Sequence, residues 1–166
     1  MNNEAPRSIP ILDVRPEIEA IWDELMSAIQ KVVRDGQFIM GPNVKSFEEE
    51  VATYLGVRHA IAVNSGTDAL VIGLRALGVG PGDEVITTPL TFFATAEAVH
   101  SVGATPVFVD IDPESFNIDV SQVEAAITER TKAIIPVHLY GRPCEMDTLL
   151  SIARKYHLNV VEDAAQ

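Results

Sequence analysis

The stretch Ala62-Val63-Asn64-Ser65-Gly66-Thr67-Asp68-Ala69-Leu70 decides the fold, because an apolar strand pattern passes there through polar residues and a glycine into a helical pattern. Ser65, Thr67 or Asp68 can cap the helix that follows. The first turn of such a helix presents backbone N–H groups with partial positive charge, and these groups bind phosphate. The stretch therefore predicts either a phosphate-binding turn or an ordinary capped turn between a strand and a helix.

From residue 59 onward, short apolar segments alternate with segments of helical period. Strands are predicted at 60–63, 85–88, 106–109, 133–137 and 158–161, and helices at 67–77, 91–102, 120–127 and 146–156. The strands are apolar on both faces and are joined by crossover helices. This pattern predicts an α/β fold with a mainly parallel sheet and helices on both faces.

Two amphipathic helices are predicted before this alternation. Pro16 begins the first, which ends at Gly36, and the second begins near Pro42 and ends at Gly56. Each needs a surface on which to bury its apolar face. We therefore expect residues 1–58 to form a helical segment that docks on an α/β large domain, of which residues 59–166 are the first part.

The composition limits the partners of the chain. It has 12 Lys and Arg against 24 Asp and Glu, a net charge of −12, and no basic cluster, which argues against nucleic acid and membrane as partners. The first residues are not basic and apolar, and no long apolar run follows, so we expect a cytoplasmic protein without signal peptide or membrane span. Cys144 is the only cysteine, which excludes an internal disulfide and a cysteine-rich metal site.

Polar and aromatic residues follow the carboxyl ends of four predicted strands, at the edge where parallel sheets bind ligands. These residues are 64–67, 89–93, 138–141 and 162–166. A phosphate-binding turn, an aromatic side chain and a carboxylate at one edge suit a flat, phosphorylated, nitrogen-containing ring such as pyridoxal phosphate. Each also has a simpler interpretation: Asp163 as a turn residue, Phe92 and Phe93 as core residues, and His138, which shares a side with Tyr140, as a buried histidine with satisfied partners.

Six segments make the chain recognisable as a whole. They are GPNVKSFEEEVATYLG from Gly41, NSGTDAL from Asn64, GPGDEVITTPLTFFATAEAV from Gly80, VDIDPESFNID from Val109, PVHLYG from Pro136 and VVEDAAQ from Val160. In this order and spacing, the chain resembles the DegT/DnrJ/StrS family of pyridoxal-phosphate-dependent sugar aminotransferases of fold type I. The resemblance implies an enzyme that moves an amino group, typically from glutamate, to a keto-sugar attached to a nucleoside diphosphate. Such enzymes serve amino-sugar, polysaccharide or antibiotic-sugar biosynthesis and act as homodimers whose active sites take residues from both subunits.

The resemblance also implies roles for individual residues. Gly66 and Thr67 bind the cofactor phosphate, and Phe92 stacks on the pyridine ring. Asp163 is the partner of the pyridine nitrogen. Ala165 packs on the opposite face of the ring, and Gln166 contacts the ring hydroxyl oxygen.

The chain departs from the family pattern in one respect, because the Schiff-base lysine of the family follows the EDAAQ motif and this chain ends at Gln166. Lys31, Lys45 and Lys155 fall in predicted helices, and Lys132 lies at the opposite end of a predicted strand, so none is assigned that role. We expect the N-terminal part of a longer enzyme that lacks the small C-terminal domain, and we expect these 166 residues alone to be inactive. Two alternatives stay open: a pyridoxal-phosphate-dependent sugar dehydratase of the same fold, or a non-catalytic protein that binds the sugar or the cofactor.

Overall fold

The chain folds into two compact units in the computed structural model, which describes residues 10–166. The first unit ends at Ala62, and the second spans Val63 to Gln166. Most of the N-terminal stretch whose composition argued against a signal peptide lies outside the described residues. The docking of residues 1–58 on the α/β domain stays a prediction.

Within its described residues, 10–62, the first unit contains three helices, α1 (Arg15–Ala20), α2 (Trp22–Asp35) and α3 (Pro42–Leu55). Glycines in the left-handed conformation end α2 and α3, Gly36 and Gly56, each with φ of 66°. The prediction of a single helix from Pro16 to Gly36 is wrong in one respect, because the observed helix is interrupted at Ile21. The Ile21 backbone has left the helical region, with φ of −116° and ψ of 15°, so that Ile21 ends α1 and precedes α2.

The strand expected at 60–63 does not form. Among the described residues no strand pairs with it, and the Ala62 N–H instead donates to Glu48 Oε1 at 2.8 Å. A strand requires a neighbour that supplies a ladder of hydrogen bonds, and β-branched residues do not create that neighbour. The side chain of Ile61 is accordingly 79% exposed.

The second unit is built on a parallel sheet of four short strands. They are β1 (Glu84–Thr87), β2 (Thr105–Phe108), β3 (Thr131–Ile134) and β4 (Asn159–Val160), in the order β2-β1-β3-β4. All three pairings are parallel. A bridge between Val137 and Asp163 continues the pairing of β3 and β4 past the strand ends. The structure confirms the predicted α/β fold with a parallel sheet.

Helices cover both faces of this sheet, as predicted. They are α4 (Gly66–Ala76), α5 (Ala94–Ser101), α6 (Val120–Val123), which a 3₁₀ turn at Glu124–Ala126 prolongs, and α7 (Met146–Tyr156). Successive strand residues point to opposite faces, so Val85 joins one core with α4 and α5, while Ile86 joins the other with α6 and α7. Each core contains fully buried leucine, Leu74 in the first and Leu149 in the second.

The crossover helices place an opening between two adjacent strands. Helix α5 follows β1 on one face of the sheet, whereas α7 follows β3 on the other face. The chain segments that leave β1 and β3 therefore diverge at the carboxyl ends of these strands. Open α/β sheets bind their ligands in the crevice at such a point.

Candidate active site

A cavity of about 440 Å³ lies at the carboxyl ends of the strands in the second unit, a volume typical of small-molecule sites. Its walls come from the start of α4, the turn between β1 and α5, and the residues that follow β3 and β4. The cavity brings together every residue to which the resemblance gives a role: Gly66, Thr67, Phe92, Asp163, Ala165 and Gln166. Residues from three distant parts of the chain thus meet at one site.

The N-terminus of α4 faces this cavity and is capped by Ser65. Its Oγ accepts a hydrogen bond from the Asp68 N–H at 3.1 Å and donates one to the Asp68 carboxylate at 3.0 Å. Among the described residues, the N–H groups of Gly66 and Thr67 have no acceptor, as expected for the first turn of a helix. A Cβ built on Gly66 would meet open space, so the missing side chain leaves room beside these donors. The capped turn therefore has the donors and the space that a phosphate group requires.

Asp163 is held by its backbone and by its side chain. Its N–H donates to the Pro136 carbonyl at 2.9 Å, and its carbonyl accepts the His138 N–H at 3.0 Å, which extends the β3–β4 pairing. Its Oδ2 accepts the Thr95 hydroxyl at 2.8 Å, and its Oδ1 accepts the Ala165 N–H at a longer 3.3 Å. Asp163 is thus a fixed carboxylate in the cavity wall and not only a turn residue.

Thr95 is a site residue that the sequence reasoning missed. It is completely buried in the first turn of α5. The segment GPGDEVITTPLTFFATAEAV that contributed to the resemblance includes this threonine, but nothing in the local pattern relates it to a carboxylate 68 residues later. Only the packing of α5 on the sheet brings the two side chains together.

Phe92 and Phe93 are not core residues, so that simpler interpretation is wrong. Helix α5 begins at Ala94, three residues later than predicted, and both rings therefore lie in the turn before it. Phe92 is 75% exposed and Phe93 is 71% exposed. Phe92 lines the cavity and Phe93 does not. The cavity wall accordingly carries one uncovered aromatic ring.

Gln166 is oriented by the turn after β3. Its Oε1 accepts the Tyr140 N–H at 2.7 Å, which leaves its Nε2 hydrogens as the donors of the amide. Tyr140 has a positive φ of 56°, a conformation that tyrosine rarely adopts without support from its surroundings.

The support comes from Asn117, a buried residue that no sequence pattern connects with this turn. Its Oδ1 accepts the Leu139 N–H at 3.2 Å, and its Nδ2 donates to the Arg142 carbonyl at 2.9 Å and the Pro143 carbonyl at 3.1 Å. One side chain thereby fixes both ends of the turn that contains Tyr140.

His138 has the simpler role that its pattern allowed, that of a largely buried histidine with satisfied partners. Its Nδ1 accepts the Cys144 N–H at 3.1 Å, so the ring proton is on Nε2, which donates to Glu162 Oε2 at 2.8 Å. Cys144 is also buried, and its Sγ donates to the Val137 carbonyl at 3.1 Å. Burial raises the pKa of this thiol, which makes it less reactive.

No lysine lines the cavity among the described residues, which include every lysine of the chain. Lys31 and Lys45 lie on α2 and α3, Lys132 lies in β3, and Lys155 on α7 pairs with Glu124. In the same part of the chain, no group of His, Cys, Asp and Glu side chains has the arrangement of a metal site, and no helix has both the length and the apolar character needed to cross a bilayer.

The fold and the cavity define the class of protein. An open parallel sheet that presents a helix N-terminus, an uncovered aromatic ring and a fixed carboxylate at one opening is typical of α/β proteins that bind a phosphorylated cofactor. A model of the DegT/DnrJ/EryC1/StrS aminotransferase family matches residues 19–166. The chain belongs to this pyridoxal-phosphate-dependent family, which confirms the resemblance read from the sequence.

Two curated relatives illustrate the range of names in the family. The pleiotropic regulatory protein of Geobacillus stearothermophilus is 52% identical over 96% of this chain. The UDP-N-acetyl-3-dehydro-alpha-D-glucosamine 3-aminotransferase of Acidithiobacillus ferrooxidans is 51% identical over 96% of this chain. The matched region covers 43% of each relative, so the chain spans less than half the length of these proteins.

Solved structures agree with the sequence relationship. DesV of Streptomyces venezuelae superposes with a TM-score of 0.93 at 46% identity, over 95% of this chain and 43% of DesV. NtdA of Bacillus subtilis, solved with bound cofactor PMP, gives a TM-score of 0.93 at 43% identity, over 100% of this chain and 38% of NtdA. PMP is pyridoxamine phosphate, the form of pyridoxal phosphate that carries the amino group.

Proposed function

We propose that the protein is a pyridoxal-phosphate-dependent aminotransferase that transfers an amino group, with glutamate as the donor, to a nucleotide-linked keto-sugar. One observation carries the proposal: a single cavity gathers the helix N-terminus, the aromatic ring and the fixed carboxylate that this cofactor requires, in a chain that belongs to a sugar aminotransferase family. The name of the Acidithiobacillus relative supports the substrate class, because that protein is named for aminating a UDP-linked 3-dehydro sugar.

The residues at the N-terminus of α4 would hold the phosphate of the cofactor. The N–H groups of Gly66 and Thr67 donate to it, assisted by the partial positive charge of the helix end. The Thr67 hydroxyl is a further donor on the same turn. Phe92 offers an uncovered ring for stacking, and Ala165 offers a small apolar side chain for the opposite face of the cofactor ring.

Asp163 and Gln166 would hold the polar atoms of the cofactor ring. The Asp163 carboxylate keeps a proton on the pyridine nitrogen, and Gln166 donates from Nε2 to the ring hydroxyl oxygen because Tyr140 already occupies its Oε1. When bound, pyridoxal phosphate would carry the amino group between two carbon skeletons, and its ring would be the electron sink for the carbon that loses its proton. The residues of this chain orient the ring and keep its nitrogen charged.

A regulatory protein is the second candidate, and one observation favours it. The relative from Geobacillus, 52% identical, is named a pleiotropic regulatory protein. A protein of that kind could bind the cofactor or the sugar in the same cavity without turnover. The two candidates therefore differ in catalysis and not in the residues that line the cavity.

The test is an amination assay on the protein from the complete reading frame that contains this chain. The purified protein is incubated with pyridoxal phosphate, glutamate and UDP-linked 3-keto sugar, and the products are identified by mass spectrometry, with a reaction lacking glutamate as the control. We expect the amino sugar and 2-oxoglutarate in equal amounts. Loss of water from the sugar without amination would indicate the dehydratase alternative, and cofactor binding without turnover would indicate the regulatory one.

Homodimeric assembly and a cytoplasmic location are parts of the same proposal. The first rests on the family resemblance, and the second rests on the composition of the chain. Light scattering coupled to size-exclusion chromatography of the same protein measures its oligomeric state. Fractionation of the source cells, followed by immunodetection, measures its location. A monomer, or a protein recovered outside the cytoplasmic fraction, would contradict the corresponding part.

A further inference from the structure

Three side chains beside the cavity are linked by hydrogen bonds. Thr91 Oγ1 lies 2.8 Å from Thr95 Oγ1, which lies 2.8 Å from Asp163 Oδ2. Thr91 and Asp163 line the cavity, whereas Thr95 is completely buried behind it. These hydrogen bonds thus connect the turn before α5 to the segment after β4 through the hydroxyl group of Thr95.

The direction of these hydrogen bonds follows from the number of available protons. A carboxylate oxygen accepts and does not donate, so the single hydroxyl proton of Thr95 is committed to Asp163. Thr95 must then accept from Thr91, which donates its own proton. The two carboxylate oxygens of Asp163 consequently accept hydrogen bonds of different length. Oδ2 accepts a short bond from a buried hydroxyl, while Oδ1 accepts only the 3.3 Å bond from the Ala165 N–H.

We propose that Thr95 is a positioning residue for Asp163: its buried hydroxyl sets the rotation of the carboxylate that faces the cavity. The side chain of aspartate rotates readily about its last torsion, and hydrogen bonds are what hold it in one orientation. The backbone bonds of Asp163 fix where the residue lies but do not fix this rotation. The proposal rests on the proposed function, because it concerns how the cofactor nitrogen meets that carboxylate.

A purely structural role makes a different prediction. A buried threonine hydroxyl stabilises the fold wherever it finds an acceptor, as Thr87 does by donating to the Ile135 carbonyl at 2.9 Å. Loss of such a bond lowers the free energy of unfolding without changing how a ligand is bound. Thr87 is completely buried and does not line the cavity, so Thr87→Val is a matched control for Thr95→Val.

The experiment measures cofactor binding by the parent protein and by Thr95→Val, Thr95→Ser and Thr87→Val, each made in the complete reading frame. The measurements are the dissociation constant of pyridoxal phosphate and the visible circular dichroism of the bound cofactor, together with the melting temperature. We expect Thr95→Val to weaken binding by roughly tenfold and to change the dichroic band, since a bond to a charged group is lost. Thr95→Ser keeps the hydroxyl and restores both signals, and Thr87→Val lowers the melting temperature alone.

Three results would overturn the proposal. The first is that Thr95→Val binds and orients the cofactor as the parent does. The second is that Thr95→Ser fails to restore what Thr95→Val loses, and the third is that Thr87→Val weakens binding as much as Thr95→Val. A parent protein that binds pyridoxal phosphate while Thr95→Val matches it contradicts the positioning role only. A parent protein that binds no pyridoxal phosphate contradicts the proposed function and the positioning role together.

Discussion

Asp163 is the residue on which the proposed chemistry depends most. Its carboxylate is fixed by Thr95 and lines the cavity, so it can keep the cofactor nitrogen protonated. We expect Asp163→Asn in the protein from the complete reading frame to lower the amination rate at least ~100-fold, because loss of a charged partner costs roughly 3 kcal/mol. Steady-state rates measure this effect, and Asp147→Asn, which changes an exposed carboxylate on α7, is the control. A near-normal rate for Asp163→Asn would show that its role is misassigned.

Residue-scale features could be predicted where their cause is local. The capped turn at the start of α4 was predicted with Ser65, Thr67 or Asp68 as the cap, and the structure shows that Ser65 caps it. Thr95 and Asp163 are 68 residues apart, and Asn117 lies 22 residues or more from the turn that it holds. Such contacts depend on which helix packs on which strand, and single-sequence patterns do not contain that information.

The turn after β3 is an element both of whose ends contact one buried side chain, that of Asn117. Removing the Asn117 amide leaves the Leu139 N–H and the carbonyls of Arg142 and Pro143 without this partner. We expect Asn117→Ala to lower the free energy of unfolding by about 3 kcal/mol, the cost of several weakened buried hydrogen bonds. Urea unfolding measures it. Asn159→Ala, which removes one long bond of 3.4 Å, is the control and should have a much smaller effect. Equal effects of the two substitutions would contradict the role of Asn117.

An ion pair between Glu84 and Arg130 lies at the amino end of β1, and it makes the stability of the fold depend on pH. The Thr128 hydroxyl and then the Arg130 guanidinium donate to Glu84, and both hold its pKa below the ordinary value of 4.5. A carboxyl whose pKa is lower in the folded state stabilises the fold above its unfolded-state pKa, and this stability is lost as the pH falls through the folded-state value.

We therefore expect Glu84→Gln to be less stable than the parent protein near neutral pH, with the difference shrinking as the pH falls below 4.5. Urea unfolding across this pH range measures both proteins. Glu129→Gln changes an exposed carboxyl in the neighbouring turn and controls for the change in net charge. A stability difference that stays constant with pH would contradict the assignment.

Elements could be predicted where periodicity and end signals agree. Helix α7 has the predicted bounds, and the glycines at 36 and 56 end α2 and α3 as expected. The prediction of a strand at 60–63 was wrong. Its β-branched residues favour an extended conformation, but a strand also needs a neighbouring strand with which to pair. Helix α5 began later than predicted, since the polar and aromatic residues at 91–93 fit a turn as well as a helix.

At the scale of the whole molecule, the first unit exposes much apolar surface. None of the side chains of α1, α2 and α3 is buried, and Trp22, Phe47 and Leu55 are each more than half exposed. We expect the 166-residue chain expressed alone to associate and, having no lysine at the cavity, to show no amination. Size-exclusion chromatography with light scattering tests the first expectation, and replacing Trp22 and Phe47 by glutamate should reduce the association. A compact monomer that aminates a keto-sugar would contradict both.

Above all, we propose that the opening between β1 and β3 binds pyridoxal phosphate through the N-terminus of α4. The most direct measurement is an absorbance titration of the cofactor into the protein from the complete reading frame, compared with Thr67→Val. Thr53→Val, which changes a threonine on α3 that does not line the cavity, is the control. We predict saturable binding that Thr67→Val weakens by roughly tenfold, through loss of one hydroxyl donor to a charged phosphate, and that Thr53→Val leaves unchanged. Absence of binding, or equal affinity of the parent protein and Thr67→Val, would contradict the claim.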